Sequence, residues 1–166
     1  MEPDEVDRLV AAWRRERADV DVEPLEVLSR VSRLSRHLDL ARREAFGGHD
    51  LEPWEFDVLA ALRRAGAPYT LSPGDLLRQN LVSSGTMTNR LDRLEKRGFL
   101  RREPDPHDRR GVRAVLTDEG RAAVDASLDD LLTQEREILA ALSDDERAEL
   151  ARMLRLLVTP FDNASD

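Results

Sequence analysis

A mainly α-helical chain carrying one small β-hairpin is predicted for these 166 residues, on three observations. Residues recur at three- and four-residue spacing through most of the length, as in Leu28, Val31, Leu34 or Ser35, Leu38, Ala41 and Ala45. Helix start and stop signals punctuate the pattern at Pro24, Gly47-Gly48, Pro53, Gly66, Ser72-Pro73, Gly98, Thr117 and Ser143. Only Phe99 to Arg102 and Val112 to Leu116 read as strands. The loop between them, with Pro104, Pro106 and Gly111, is too irregular for a two-residue turn.

In chain order, Val6 to about Arg17 is a short amphipathic helix with Leu9, Val10 and Trp13, closed by the acidic link Asp19 to Glu23. Pro24 opens a longer helix that runs to Gly47-Gly48, and Pro53 opens the next, through Trp54, Phe56, Val58, Leu59 and Leu62 to Gly66. Ser72 caps a short helix with Pro73 at its first position, and Leu81-Val82 link it to a further helix capped by Ser83 or Ser84 and stopped by Gly98. Thr117 caps a long helix with Val124, Leu128, Leu131, Leu132, Ile138 and Leu139. Ser143 and Glu146 form a capping box for the last one, with Leu150, Met153, Leu154 and Leu157. Asp162 to Asp166 is expected to be a disordered tail.

Two short helices in tandem followed by a hairpin make a winged helix-turn-helix. On a 3.6-residue projection of its second helix, Met87, Leu91 and Leu94 form an inward seam. Thr86, Arg90, Arg93 and Arg97 lie on one flank, Asp92 and Glu95 on the other. Such a helix presents its polar first turn to base edges in a major groove. Ser83, Ser84, Thr86, Thr88, Asn89, Arg90, Arg93 and Arg97 are therefore the expected DNA-facing residues, with Asp108, Arg109 and Arg110 at the hairpin tip. The plainer reading of an arginine-rich amphipathic helix is a solvated face.

The charge distribution favours the first reading. Ten basic and five acidic residues fall between Arg78 and Arg113, a local +5 that leaves −13 on the rest of a chain whose net charge is −8. With screening over roughly 8 Å at physiological salt, nearby charges dominate phosphate binding, and the acidic body disfavours indiscriminate association.

Other classes are excluded or weakened. The chain has no cysteine, so disulfides, thiolate metal sites and thiol redox sensing are absent. There is no phosphate-cradling glycine loop, and His37, His49 and His107 make no i,i+4 metal pair. No enzyme, metal or cofactor is expected. Without an apolar run of about 18 residues or a secretory signal, a cytoplasmic, nucleoid-associated protein without membrane contact is expected.

The expected division is residues 1–47 for the N-terminal helices, 48–117 for the DNA-binding module and 118–166 for the C-terminal helices, in one compact domain. The first long helix and the last two carry more apolar surface than so small a module can bury, and homodimerisation accounts for it; the alternative is that they pack over their own domain. A two-fold dimer suits a pseudo-palindromic double-stranded DNA operator. A helical protein-interaction module without DNA binding is the rival function.

Leu81 to Glu95, Asp105 to Gly111 and Leu116 to Arg121 together resemble the MarR family of bacterial winged-helix transcriptional regulators, over about Pro24 to Leu157. The resemblance implies that Asp108 holds Arg110 for minor-groove contact, as a charge-assisted hydrogen bond across a hairpin can. More narrowly, the extra N-terminal helix with Trp13, Glu55 to Leu59 and Leu62 to Arg64 resemble the urate-responsive branch of that family. That resemblance implies a ligand site of Trp13, Asp57, Arg90 and Arg102, and a repressor released by a small anion: urate, xanthine or a tricarboxylate such as citrate or aconitate. Two guanidinium groups suit a planar anion. Taken singly, Trp13 also reads as a core residue, Asp57 as a partner for an arginine such as Arg64, and Arg102 as a solvated strand residue.

Overall fold

The computed structural model describes residues 2–80, 83–106 and 111–162. Seven helices and three strands follow one another: α1 Glu5–Glu16, α2 Glu23–Gly47, α3 Pro53–Arg64, β1 Thr70–Leu71, α4 Pro73–Asn80, α5 Ser84–Lys96, β2 Leu100–Pro104, β3 Val112–Leu116, α6 Asp118–Ile138 and α7 Asp144–Asp162.

The caps sit where the sequence puts them. Ser83 Oγ accepts from the Thr86 amide at 3.3 Å, Ser72 Oγ from that of Asp75 at 3.1 Å, and Ser143 Oγ from that of Glu146 at 3.4 Å. Thr117 Oγ1 accepts from the Gly120 amide at 3.0 Å and donates to the Gly98 carbonyl at 2.7 Å, so one hydroxyl caps α6 and fastens it to the end of α5. Gly98, at φ +77°, occupies the left-handed conformation that ends α5. Helix α1 starts one residue before Val6, because Asp4 caps it through the Val6 and Asp7 amides at 2.8 and 2.9 Å.

The sheet has strand order β1-β3-β2, antiparallel throughout, with Leu100 opposite Leu116 and Arg102 opposite Ala114. Strand β1 was not expected. Two residues cannot show a period-two pattern, and its partner on β3 lies far along the chain, with Thr70 opposite Val115. Asp162 belongs to α7 rather than to a tail, with Pro160 inside the helix; residues 163–166 lie outside the described residues.

The main core gathers Phe46 of α2, Val58, Leu59 and Leu62 of α3, Leu76 of α4, Met87, Leu91 and Leu94 of α5, Leu100, Ala114 and Leu116 of the sheet, and Val124 and Leu131 of α6. Phe46 stacks on Phe56 with ring centroids 4.0 Å apart. A separate small cluster, Val6, Val10 and Val22, docks α1 on the N-terminal half of α2, where Arg30 pairs with Asp4 and Asp7 and Arg14 with Glu26.

Beyond these cores the apolar pattern is unsatisfied. Helix α7 buries no residue, and a mainly apolar groove of about 600 Å³ opens between it and α2, lined by Val27, Val31, Leu34, Leu38, Leu150, Met153, Leu154 and Leu157. Among the described residues no helix is long and apolar enough to cross a membrane.

Candidate nucleic-acid interface and ligand site

Helix α5 is fixed in the core by Met87, Leu91 and Leu94, each at most 3% exposed, which turns the other side of its first turns outward. Ser83, Ser84, Thr86, Thr88 and Asn89 are all exposed. Thr86 Oγ1 lies 2.9 Å from Ser83 Oγ, and Thr88 Oγ1 donates to the Ser84 carbonyl at 3.1 Å. These short polar side chains and the Asn89 amide are of the kind that reads base edges.

The three arginines of this flank differ sharply in what they touch. Arg90 lies over the Trp54 ring at 5.3 Å from its centroid, and Arg93 over the same ring at 4.7 Å. Arg93 also pairs with Glu52 at 3.0 Å, and the Trp54 indole donates to Glu52 at 2.5 Å. The indole N–H first, and Arg93 second, hold the Glu52 carboxyl below its ordinary value.

Arg97 turns inward. It reaches the fully buried Glu55 at 2.6 Å, the Asp50 carboxylate at 2.7 Å and the Asp50 carbonyl at 2.6 Å, while lying over the Phe99 ring. Its guanidinium is committed to the α2–α3 corner, so the flank expected from the sequence splits, with Arg90 and Arg93 outward and Arg97 structural. Arg102 of β2 is held on the opposite flank of α5, against Asp92 at 2.5 Å and Glu95 at 3.8 Å. Further along the wing, Arg101 pairs with Glu103 and Arg113 with Asp105. Asp108, Arg109 and Arg110 lie outside the described residues.

Within one chain the four expected ligand residues are held by different partners on separate elements. Trp13 is 48% exposed on a helix fastened beside Glu26 and Arg30 of α2. Asp57 pairs with Arg42 at 2.7 Å rather than with Arg64. Position 42 lies about 24 Å along the helix axis from position 26 at 1.5 Å per residue. Arg90 and Arg102 occupy opposite flanks of α5. Asp57 does line a polar cleft of about 260 Å³, shared with Arg64, Gln79 and Asn80. Asn80 donates its side-chain amide to the Leu76 carbonyl at 2.9 Å.

Sequence reasoning overlooked Glu52 and Trp54 as partners of the recognition helix. The signal lay in the cationic flank itself, since two arginines one turn apart need something beside them to be held in place.

Known proteins complete the picture. The MarR family profile matches residues 49–111, from just before α3 through β2 to the residue before β3. The HTH-type transcriptional regulator PecS of Dickeya dadantii is 43% identical over 150 residues, covering 90% of each chain. A MarR mutant of E. coli complexed with operator DNA superposes with TM-score 0.67 at 28% identity, over 84% of this chain and 99% of that one. Bordetella bronchiseptica BpsR, whose DNA binding is regulated by 6-hydroxynicotinic acid, gives TM-score 0.66 at 26% identity, over 79% of this chain and 91% of that one. A chain with this fold, this outward polar helix and a 43% identical transcriptional regulator spanning nearly its whole length belongs to the MarR family of DNA-binding transcriptional regulators.

Proposed function

We propose that the protein is a homodimeric repressor that places α5 in the major groove and the Asp108 to Arg110 tip in the minor groove of a pseudo-palindromic operator, and that a small anion releases it. The observation that carries this reading is the opposition on α5 of the Met87, Leu91 and Leu94 seam to the exposed Ser84, Thr88, Asn89 and Arg93. Dimerisation is supported by α7, a 19-residue amphipathic helix with nothing buried, beside the open apolar groove on α2.

The ligand reading rests on the cleft at Asp57. Asp57 accepts from a ring N–H, Gln79 donates and accepts, and Arg64 pairs with the anionic edge, a set suited to a urate-like purine or a small tricarboxylate. Regulation of BpsR by an aromatic carboxylic acid supports a planar anion. Trp13, Arg90 and Arg102 join this cleft only through the second subunit or a movement of α1 and α5. The cleft touches the last residues of α4, directly before α5, so a ligand there acts on the recognition helix.

A mobility shift on the DNA flanking its own gene, with urate, xanthine, citrate and aconitate, tests both halves. At least one compound should release the DNA, and a tenfold loss of affinity requires about 1.4 kcal/mol of coupling. Asp57→Ala and Arg64→Ala should keep DNA binding and lose the response. Release that persists in both variants refutes the cleft; failure to bind any selected duplex refutes the DNA reading.

A further inference from the structure

We propose that Glu52, just before α3, and Trp54, in its first turn, form a shelf that holds Arg90 and Arg93 of α5 before DNA arrives, with Trp54 as a positioning residue and Glu52 as an internal competitor for the DNA phosphate. This rests on the reading of α5 as the DNA-facing helix.

The geometry is reciprocal. One indole ring carries both guanidinium groups, at 5.3 and 4.7 Å, and its N–H donates to the carboxylate that pairs with Arg93. The ring is therefore fixed at one end by Glu52 and loaded along its face by two cations from a different element. Pro53 starts α3 between the two shelf residues, and Glu55 Oε2 accepts from the Glu52 amide at 3.0 Å, so the shelf backbone is itself tied into a capping box. The carboxyl, held below its ordinary value by the indole and by Arg93, is ionised wherever the protein is studied near neutral pH.

Two consequences follow, and they separate the roles. A flexible arginine loses rotamer freedom when it binds a base or phosphate; an aromatic face that already restricts Arg90 and Arg93 reduces that loss. Trp54 thus favours the duplex that needs those side chains in one arrangement. Glu52 acts in the other direction. When Arg93 leaves it for a phosphate, the carboxylate is uncovered and gathers a cation from solution, cancelling the counterion that the phosphate releases. The shelf thereby weakens contact with any phosphate while sparing a site that places Arg93 well.

The test uses the full-length protein, a 30-base-pair random-sequence duplex and a duplex enriched from a random pool, with affinities read by fluorescence anisotropy across a salt series. Glu52→Gln should bind the random duplex several-fold more tightly, and its log-log salt slope should steepen by up to about 0.9. Trp54→Leu should lower the ratio of selected to random affinity by about five- to tenfold, the worth of one base-contacting side chain. Trp54→Phe, which keeps an aromatic face, should restore most of that ratio, a rescue that a role resting on the indole N–H alone would not produce. In Trp13→Phe protein, Trp54 is the sole tryptophan, and its emission should change when either duplex binds. An unaltered slope in Glu52→Gln, or equal losses in Trp54→Leu and Trp54→Phe, overturns the shelf. If Arg93→Ala binds both duplexes like the parent, the reading of α5 fails and takes the shelf with it; if Arg93→Ala weakens binding while Glu52→Gln is silent, the shelf alone fails.

Discussion

Removing the Arg97 guanidinium should cost more stability than any other truncation on the cationic flank of α5, and it should do so without removing a phosphate contact. Glu55 is 0% exposed, and its Oε2 is held by Arg97 at 2.6 Å and by the Glu52 amide at 3.0 Å, while Oε1 has no partner among the described residues. Stripping one side of a buried pair typically costs about 3–5 kcal/mol, because the remaining charge is left uncompensated. The Glu52 amide stays and water can enter where Arg97 stood, which places Arg97→Ala near the lower end, about 3 kcal/mol. The bond to Asp50, whose side chain is 98% exposed, adds little. If the orphaned charge is the cause, Glu55→Gln added to Arg97→Ala should recover about 1–2 kcal/mol rather than sum with it. Urea unfolding at one fixed protein concentration measures this, with constant slope m confirming that the native state alone has changed. A loss under about 1 kcal/mol, together with a salt slope of DNA binding reduced by about 0.9, would return Arg97 to the phosphate-contacting role that its place on the projection suggests.

Two further outcomes probe the scaffold. Gly120→Ala puts a methyl 2.0 Å from the Phe99 carbonyl oxygen, a backbone atom that cannot step aside, so about 3 kcal/mol of stability should be lost; unchanged thermal unfolding would mean that α6 does not dock on the β2 corner as described. Leu157→Asp, in the groove between α2 and α7, should convert a dimer to a monomer in sedimentation velocity while the far-ultraviolet helix signal persists, and a variant of parental mass would remove that groove from the interface.

How much of this could be read from the sequence depends on how local the determinant is. Ser83, Thr117, Ser143 and Gly98 announce helix ends because a cap is a bond to an amide two or three residues away, or a single left-handed residue. The seam of Met87, Leu91 and Leu94 is legible for the same reason: helical spacing alone places it. Strand β1 escapes because its only reason to exist is β3, some forty residues on. Glu55 reads from sequence as one more surface carboxylate on a charged chain; only the arrival of Arg97 from another helix makes its complete burial tolerable. The four ligand residues pose the opposite problem. Resemblance supplies their identities, but whether side chains from α1, α3, α5 and β2 meet is a matter of tertiary placement, and one chain keeps Trp13 at the far end of α2 from Asp57.

The same distinction changes what the basic segment means for DNA. Ten cations between Arg78 and Arg113 suggest a broad phosphate-binding stripe. Yet Arg78, Arg93, Arg97, Arg101, Arg102 and Arg113 each face a carboxylate, from Asp75, Glu52, Glu55, Glu103, Asp92 and Asp105. Among the described residues of that segment, Arg90 and Lys96 are the cations without one. An arginine that must abandon a carboxylate to reach a phosphate leaves a charge behind that gathers a cation, so its contribution to counterion release largely cancels. The salt dependence of binding should accordingly track the net charge of the segment rather than its count of arginines. Such a surface is poorly suited to hold arbitrary DNA and well suited to a duplex whose bases repay the exchange of partners.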